Sequence, residues 1–284
     1  MEIASLAIKI ARSENLPVVP QVVGVVLRMT QSDDASLLEL GQALEKEVAI
    51  SSKVLKAANS AYYGMKEPVH SITSALQILG LRTVCSLVLS VAYQQAVSAG
   101  QSTKLFDRVE FWRHSLASAV AARLLARLET TVDPEEMYAA ALFHDVGMLA
   151  LDRYAPGDFD KALALSKRTK VSLGSCLCHV LGFDTSDVGG VLAERWMFGD
   201  LIRDSIQFHS HPLDAVSHQK ETCMVAVAHA IAVRSGCPNQ SPEDPAEIQP
   251  EVLELAGVRE DAIEVLTNAT ASEVARAQDA FKIR

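Results

Sequence analysis

An adjacent histidine and aspartate, His144 and Asp145, form the most chemically suggestive pair in this sequence. They stand in the run LFHDVG at residues 142–147, at the predicted end of a helix. Neighbouring helical side chains point about 100° apart, yet both can reach one cation where a helix ends. A nitrogen and an oxygen ligand side by side suit a divalent transition metal such as Zn, Fe, Ni or Mn. Taken alone, the pair also fits a polar helix cap.

Two further histidines extend this candidate metal site. His114 opens a predicted helix that runs to Leu128, and a short connection joins it to the helix that ends at His144, so the two helices should pack side by side. His229 lies in an apolar helix, where a buried imidazole needs a partner such as a metal or a carboxylate. Each has an alternative interpretation. His114 could be a core histidine whose hydrogen bonds are all made within the protein, and His229 could donate a hydrogen bond to a backbone carbonyl.

The elements that must position these residues are predicted to be helices. Hydrophobic residues make up 49% of the chain and aromatic residues only 5%, which favours helices over strands. The sequence contains no pair of strand-like runs and no hairpin signal. We therefore predict an all-α fold. The predicted helices span about residues 4–13, 21–31, 36–47, 50–60, 71–80, 81–99, 109–128, 134–146, 158–168, 173–181, 186–195, 199–208, 219–235 and 249–281.

The domain organisation is predicted from a break in the helical pattern at residues 98–106. The chain has 284 residues, enough for one large domain or two ordinary ones with a core each. We predict two helical bundles, an N-terminal one over residues 1–100 and a second over residues 101–284 that ends in a helical extension.

The charge of the chain limits its partners. The formal net charge is −9, and no basic stripe occurs, which argues against binding to nucleic acid or to an anionic membrane. The N-terminus lacks the apolar core of a signal peptide, and the apolar stretch 83–99 is short for a membrane span. The five cysteines form no zinc-binding spacing and are predicted to be reduced thiols. These features predict a soluble, cytoplasmic protein.

Several motifs together resemble the HDOD family, the HD-related output domains of bacterial signalling proteins. The resemblance covers about residues 15–235 and implies an all-helical fold in two parts, of which the second is similar to HD phosphohydrolases. The motifs are LPVVP at 16–20, SSKVLKAANSAYYG at 51–64, SITSALQILG at 71–80, WRHS at 112–115, FHDVG at 143–147, LAERW at 192–196 and HSHP at 209–212.

The resemblance to HD phosphohydrolases also implies a ligand set and a loss of catalytic residues. In that comparison His114, His144 and Asp145 match metal ligands, and His229 stands where a distal aspartate is expected. Binuclear relatives add a lysine and further histidines. Met148 stands here at the position of that lysine, and Thr185 stands at the position of one histidine. His209 matches the first histidine of a pair, but Ser210 occupies the second position and His211 follows it by one residue. One ion held by His114, His144, Asp145 and His229 remains compatible with the sequence, whereas a second ion does not.

Three functions follow as hypotheses. The first is a non-catalytic signalling module that acts by contact with a protein partner, which the family and the degraded site favour. The second is a mononuclear metal phosphohydrolase acting on a nucleotide. Such an enzyme must neutralise the charge of the phosphate, and Met148 lacks the positive charge that a lysine would bring to that position. The third is a nucleotide or metabolite sensor whose pocket would include Arg113, His209 and His211. The phosphohydrolase would need one bound Fe, Ni, Zn or Mn ion, whereas in the other two cases the site either binds such an ion or has lost it.

Overall fold

The computed structural model describes residues 3–12, 21–30, 37–60, 63, 67–100, 102–129, 131–240 and 247–281. Within these residues the backbone forms helices, turns and bends and no strand, so the prediction of an all-α fold is confirmed. The motif at 16–20 and residues 61, 62 and 64 of the second motif lie outside the described residues. No helix in the described part of the chain is both long and apolar enough to cross a membrane.

The described residues form sixteen α-helices and one 3-10 turn, Pro212–Asp214. The helices are α1 (Ile3–Arg12), α2 (Gln21–Thr30), α3 (Leu37–Glu45), α4 (Val48–Ala58), α5 (Ile72–Leu79), α6 (Leu81–Ser98), α7 (Arg108–Leu128), α8 (Pro134–Phe143), α9 (Val146–Tyr154), α10 (Pro156–Thr169), α11 (Leu173–Leu181), α12 (Thr185–Arg195), α13 (Asp200–Phe208), α14 (Gln219–Arg234), α15 (Pro250–Ala256) and α16 (Glu260–Phe281).

Aspartate caps fix where the helices that carry the site begin. The Asp107 side chain accepts hydrogen bonds from two backbone amides in the first turn of α7. Asp133 does the same for α8, whose first residue is Pro134. Because these caps satisfy amides that have no partner inside a helix, they set the helix starts and so the positions of the histidines that follow.

Two helix boundaries differ from the prediction. The predicted helix 134–146 ends at Phe143, and His144 and Asp145 separate it from α9, which was not predicted. The predicted helix 249–281 is divided into α15 and α16 at Gly257, whose φ of 71° lies in the left-handed region that ends helices. The first difference places the His-Asp pair between two helices rather than inside one.

The long helix α6 lies at the centre of the fold. It packs against α2, α4 and α5 on one side and against α7 and α8 on the other. Two serines on α6 face the second group. Ser86 donates to the carboxylate of Glu135, which also accepts from Arg123 at 2.7 Å, and Ser90 lies 2.6 Å from the hydroxyl of Tyr138. This buried polar network fixes the orientation of α6 relative to α7 and α8.

The break at residues 98–106 is held against the second half of the chain. Asp152, which is buried, accepts hydrogen bonds from the guanidinium of Arg108 and from the backbone amide of Thr103. Arg153 donates to the carbonyl of Ala96 at 2.6 Å. In addition, α1 packs against α9 and α12, which are far from it in the sequence. A domain boundary near residue 100 stays a prediction.

Three helices form the frame around the candidate site. The longest of them, α7, packs against α8 and α14 along its length, and α14 also contacts α8 and α13. On the far side, α9 packs on α12 at Gly147 and Gly189. A Cβ atom at Gly147 would lie 1.9 Å from the carbonyl oxygen of Thr185, so only glycine permits this close approach.

Candidate metal centre

The four residues predicted as metal ligands lie together in the structure. His114 comes from α7, His144 and Asp145 from the connection between α8 and α9, and His229 from α14. One potential ligand atom from each lies within 4.8 Å of those from the others. The residues expose 0%, 1%, 4% and 8% of their surface respectively, so the group is enclosed by protein.

The ring nitrogens are spaced as ligands of one ion would be. Nε2 of His114 lies 3.4 Å from Nε2 of His144, and each of these atoms lies 3.1 Å from Nδ1 of His229. Oδ2 of Asp145 lies 3.0 Å from Nε2 of His144. Two atoms bound to the same ion at ~2.1 Å are separated by about 3.0–3.4 Å when they are adjacent in its coordination shell. The observed spacing therefore fits a single transition-metal ion.

Backbone carbonyls fix which nitrogen of each ring faces the cluster. Nδ1 of His114 lies 2.8 Å from the carbonyl oxygen of Cys237, and Nδ1 of His144 lies 2.6 Å from that of Ala141. A carbonyl only accepts, so both Nδ1 atoms must donate, and in a neutral ring the Nε2 atom then carries a lone pair. This arrangement, a ring N–H held by a carbonyl with the other nitrogen presented, is typical of metal-binding histidines.

Burial and neighbouring charges set the protonation of the His-Asp pair. Burial lowers the pKa of the His144 imidazole, in spite of the opposing effect of the Asp145 charge. Burial would raise the pKa of the Asp145 carboxyl, but the adjacent imidazoles of His144 and His209 favour the ionised carboxylate, outweigh burial and hold that pKa well below its usual range. The site thus presents a carboxylate and imidazole lone pairs to a shared space, which a divalent cation would neutralise.

His209 joins the cluster through Asp145. Its Nε2 atom lies 3.3 Å from Oδ1 of Asp145, and its Nδ1 atom lies 3.1 Å from the carbonyl oxygen of Ser205. The ring also stands perpendicular to that of His144, with centroids 4.8 Å apart. The sequence suggested His209 as a pocket residue, whereas the structure places it beside Asp145, on the carboxylate oxygen opposite to the one nearest His144.

The contacts described for the other two candidate pocket residues are made to groups other than the four ligands. His211 is exposed and begins the 3-10 turn, where its backbone amide donates to the carbonyl of Phe208 at 2.8 Å. Arg113 is half-buried on α7, and its side chain reaches the thiol of Cys237. A pocket formed by Arg113, His209 and His211 stays a prediction.

Two contributors to the site were missed in the sequence. The side-chain amide of Asn239 donates to Oδ2 of Asp145 at 2.6 Å, and the carbonyl of Cys237 holds His114. Both residues belong to the loop that directly follows α14. The proximity of this loop to His229 was the one signal in the sequence that could have drawn attention to it.

The positions that depart from HD phosphohydrolases are filled by groups with other roles. Met148 is buried in the hydrophobic core, and the carbonyl of Thr185 contacts the surface of Gly147. The hydroxyl of Ser210 lies 3.3 Å from that of Ser186. None of these side chains supplies a cation or an imidazole, so the structure offers no ligands there for a second ion.

Comparisons with solved structures show the same fold in several bacterial proteins. An HDOD domain protein of unknown function from Geobacter sulfurreducens superimposes with a TM-score of 0.84 at 24% identity, covering 98% of this chain and 97% of the other. A candidate phosphohydrolase from Shewanella amazonensis SB2B gives 0.74 at 24% identity, covering 99% and 98%. A candidate signal transduction protein from Marinobacter aquaeolei VT8 gives 0.78 at 18% identity, covering 94% and 59%.

Sequence comparison identifies the family. An uncharacterized protein of Treponema pallidum (strain Nichols) is 25% identical over 234 residues, which cover 79% of this chain. The same match covers 43% of that protein, so the chain spans less than half the length of this relative. The model of the HDOD domain family matches residues 16–212, most of the chain. The chain belongs to the HDOD domain family.

Proposed function

We propose that this chain is a non-catalytic signalling module that acts through contacts with another protein. Membership of the HDOD family supports this, together with the similar fold of a candidate signal transduction protein. The partner would be a protein rather than a nucleic acid or a membrane, because the net charge of −9 opposes binding to polyanions.

The burial of the His/Asp cluster is the observation that carries the non-catalytic part of the proposal. The four ligand residues expose at most 8% of their surface. A phosphoester must reach the ion and also needs cationic groups around its phosphate. Met148 stands where binuclear relatives have a lysine, and its side chain is buried away from solvent. The arrangement suits an ion that stabilises the fold better than an ion that must admit a substrate.

A metal ion would have a structural role in this proposal. His114, His144, Asp145 and His229 would hold it, and with nitrogen and oxygen donors it would be Fe, Ni, Zn or Mn. When bound, the ion would supply positive charge to a set of lone pairs that otherwise repel. Since the ligands come from α7, from the α8–α9 connection and from α14, they would join three parts of the bundle.

A second candidate function is a mononuclear phosphohydrolase that acts on a nucleotide. The presence of three histidines and an aspartate in one buried group favours it, as does the similar fold of a candidate phosphohydrolase. The third hypothesis, a nucleotide or metabolite sensor, has less support, because His211 is exposed whereas the four ligand residues are buried.

A hydrolysis assay distinguishes the first two functions. Protein loaded with Mn, Fe, Ni or Zn is incubated with a chromogenic phosphodiester and with nucleotides, and phosphate or monophosphate release is followed. We expect rates equal to those of an Asp145→Asn variant. Turnover that Asp145→Asn loses and His211→Ala retains would reject the non-catalytic proposal in favour of the phosphohydrolase.

A further inference from the structure

The four residues that follow α14 and its terminal turn, Cys237–Gln240, lie directly against the candidate metal centre. The carbonyl of Cys237 accepts a hydrogen bond from Nδ1 of His114 at 2.8 Å. Two residues later, Nδ2 of Asn239 donates to Oδ2 of Asp145 at 2.6 Å. One short segment therefore contacts two of the four ligands, and these two come from different helical elements.

The orientation of the Asn239 side chain is fixed by its own backbone neighbour. The amide N–H of Gln240 donates to Oδ1 of Asn239 at 2.8 Å. Because the side-chain oxygen is occupied in this way, the side-chain nitrogen is the end that faces Asp145. A donor is thus held against the carboxylate, and it contacts Oδ2, the oxygen that also lies 3.0 Å from Nε2 of His144.

Gln240 anchors the segment to the start of α7. Its side-chain oxygen accepts from the backbone amide of Asp107 at 3.0 Å, and its side-chain nitrogen donates to the carbonyl of Asp107 and to the carboxylate of Glu110. Gln240 is buried, so these contacts are shielded from water. Glu110 precedes His114 by about one helical turn, which fixes the segment relative to the ligand that Cys237 contacts.

We propose that Asn239 is a positioning residue that holds Oδ2 of Asp145 towards the three imidazoles and so sets the affinity of the cluster for a divalent cation. The inference rests on the metal part of the proposed function. Asp145 follows the last turn of α8, and its side chain makes no cap hydrogen bond to the helix that it begins. The hydrogen bond from Asn239 therefore orients the carboxylate, and groups that orient a ligand typically change metal affinity when they are removed.

Two substitutions at residue 239 separate this role from general support of the loop. Asn239→Ala removes the donor, so we expect cation affinity to fall. Asn239→Asp replaces the donor with a second carboxylate beside Asp145, which adds negative charge at the site, so we expect cation affinity at least equal to that of the wild type. If residue 239 only supported the loop, both variants would lower the melting temperature and leave the affinity unchanged.

The experiment is a titration of the metal-free full chain with Co²⁺, followed by its visible absorption, with the melting temperature measured in parallel. Ser235→Ala is the matched control, because its hydroxyl donates to the carbonyl of Ala232 in the turn that precedes the segment and does not contact a ligand. We expect Asn239→Ala to bind roughly 10- to 100-fold more weakly and Ser235→Ala to bind as the wild type does.

Wild-type affinity in Asn239→Ala, within about threefold, would overturn the inference while leaving the metal centre intact. Equal weakening in Asn239→Asp and Asn239→Ala would support the inference, since both variants lack the side-chain N–H that donates to Asp145. Absence of Co²⁺ binding by the folded wild-type protein would reject both the inference and the metal part of the proposed function. It would not reject the non-catalytic part of the proposed function, which the hydrolysis assay tests separately.

Discussion

Nε2 of His114 and Nε2 of His144 face each other at 3.4 Å inside the protein, and neither ring can turn its hydrogen towards the other without losing a carbonyl partner. Nδ1 of His229 lies 3.1 Å from both. If Nδ1 of His229 carries a hydrogen, it can donate to only some of the nearby acceptors, which are the two Nε2 atoms and the carboxylate of Asp145. The geometry therefore leaves lone pairs in contact unless a cation lies among them.

Metal removal should destabilise the protein. We expect about one equivalent of transition metal in protein purified without a chelator, and a fall in melting temperature of roughly 5–10 °C after chelation, because an ion present at 100 times its Kd contributes about 2.7 kcal/mol. Elemental analysis and calorimetry would measure this. His144→Ala should lose the metal, and His211→Ala, which alters an exposed histidine outside the cluster, should retain it. Folded wild-type protein without metal would contradict the prediction.

The contact between α9 and α12 should not tolerate a side chain at residue 147. In Gly147→Ala the new Cβ atom would lie 1.9 Å from the carbonyl oxygen of Thr185, and a backbone atom cannot rotate away. We expect a loss of about 3 kcal/mol or more, seen as a fall of roughly 6–12 °C in melting temperature.

Gly157→Ala provides the control for this prediction. Residue 157 lies in the first turn of α10, and a Cβ atom there would have no neighbour within 4 Å. Since alanine favours helices over glycine, the melting temperature should stay the same or rise slightly. Similar behaviour of the two variants would show that the α9–α12 approach is not as close as the structure indicates.

The sequence predicted the ligands of the site better than their surroundings. His144 and Asp145 are adjacent in the chain, and the motif around them is local, so a resemblance could identify them. His114 and His229 each lie in a long apolar helix, where an imidazole is conspicuous. The position of Asn239 depends instead on how a loop folds back after α14, and a polar residue in a polar loop gives no signal in a single sequence.

Helix boundaries near the site were harder to predict for a physical reason. The apolar pattern continues past Phe143, so periodicity extended the predicted helix through His144 and Asp145 to residue 146. The structure ends α8 at Phe143 and begins α9 at Val146. The interruption lets both ligands face the same space, a tertiary requirement that hydrophobic periodicity does not contain.

The buried ion pair between Arg123 and Glu135 should matter more than an exposed pair. Arg123 also lies over the ring of Tyr138, with its guanidinium carbon 3.9 Å from the ring centroid. Glu135→Gln leaves the buried guanidinium without its counter-charge, and we expect a loss of about 3–5 kcal/mol in the free energy of unfolding, measured with urea. A double variant in which Arg123 and Glu135 are both methionine should recover much of this loss.

Arg203 and Asp200 form the control pair for this measurement. Their contact spans 2.7 Å, but the side chains expose 37% and 69% of their surface. Arg203→Met should change the free energy of unfolding by less than about 1 kcal/mol, because water and salt screen an exposed pair. Equal effects of Glu135→Gln and Arg203→Met would mean that the network between α6, α7 and α8 is open to solvent.

Thiol reactivity should single out one cysteine in the native protein. Burial raises the pKa of the Cys85 thiol to about 12 and that of Cys223 to about 11, so at pH 8 even the second is only ~0.1% thiolate. Cys176 and Cys237 are buried, whereas Cys178 is exposed on α11. With a chromogenic disulfide reagent at pH 8 we expect one fast-reacting thiol, absent in Cys178→Ser, and five after denaturation in guanidinium. Fast reaction of a second thiol in the native protein would show that the packing around α6 or α14 opens more readily than its burial implies.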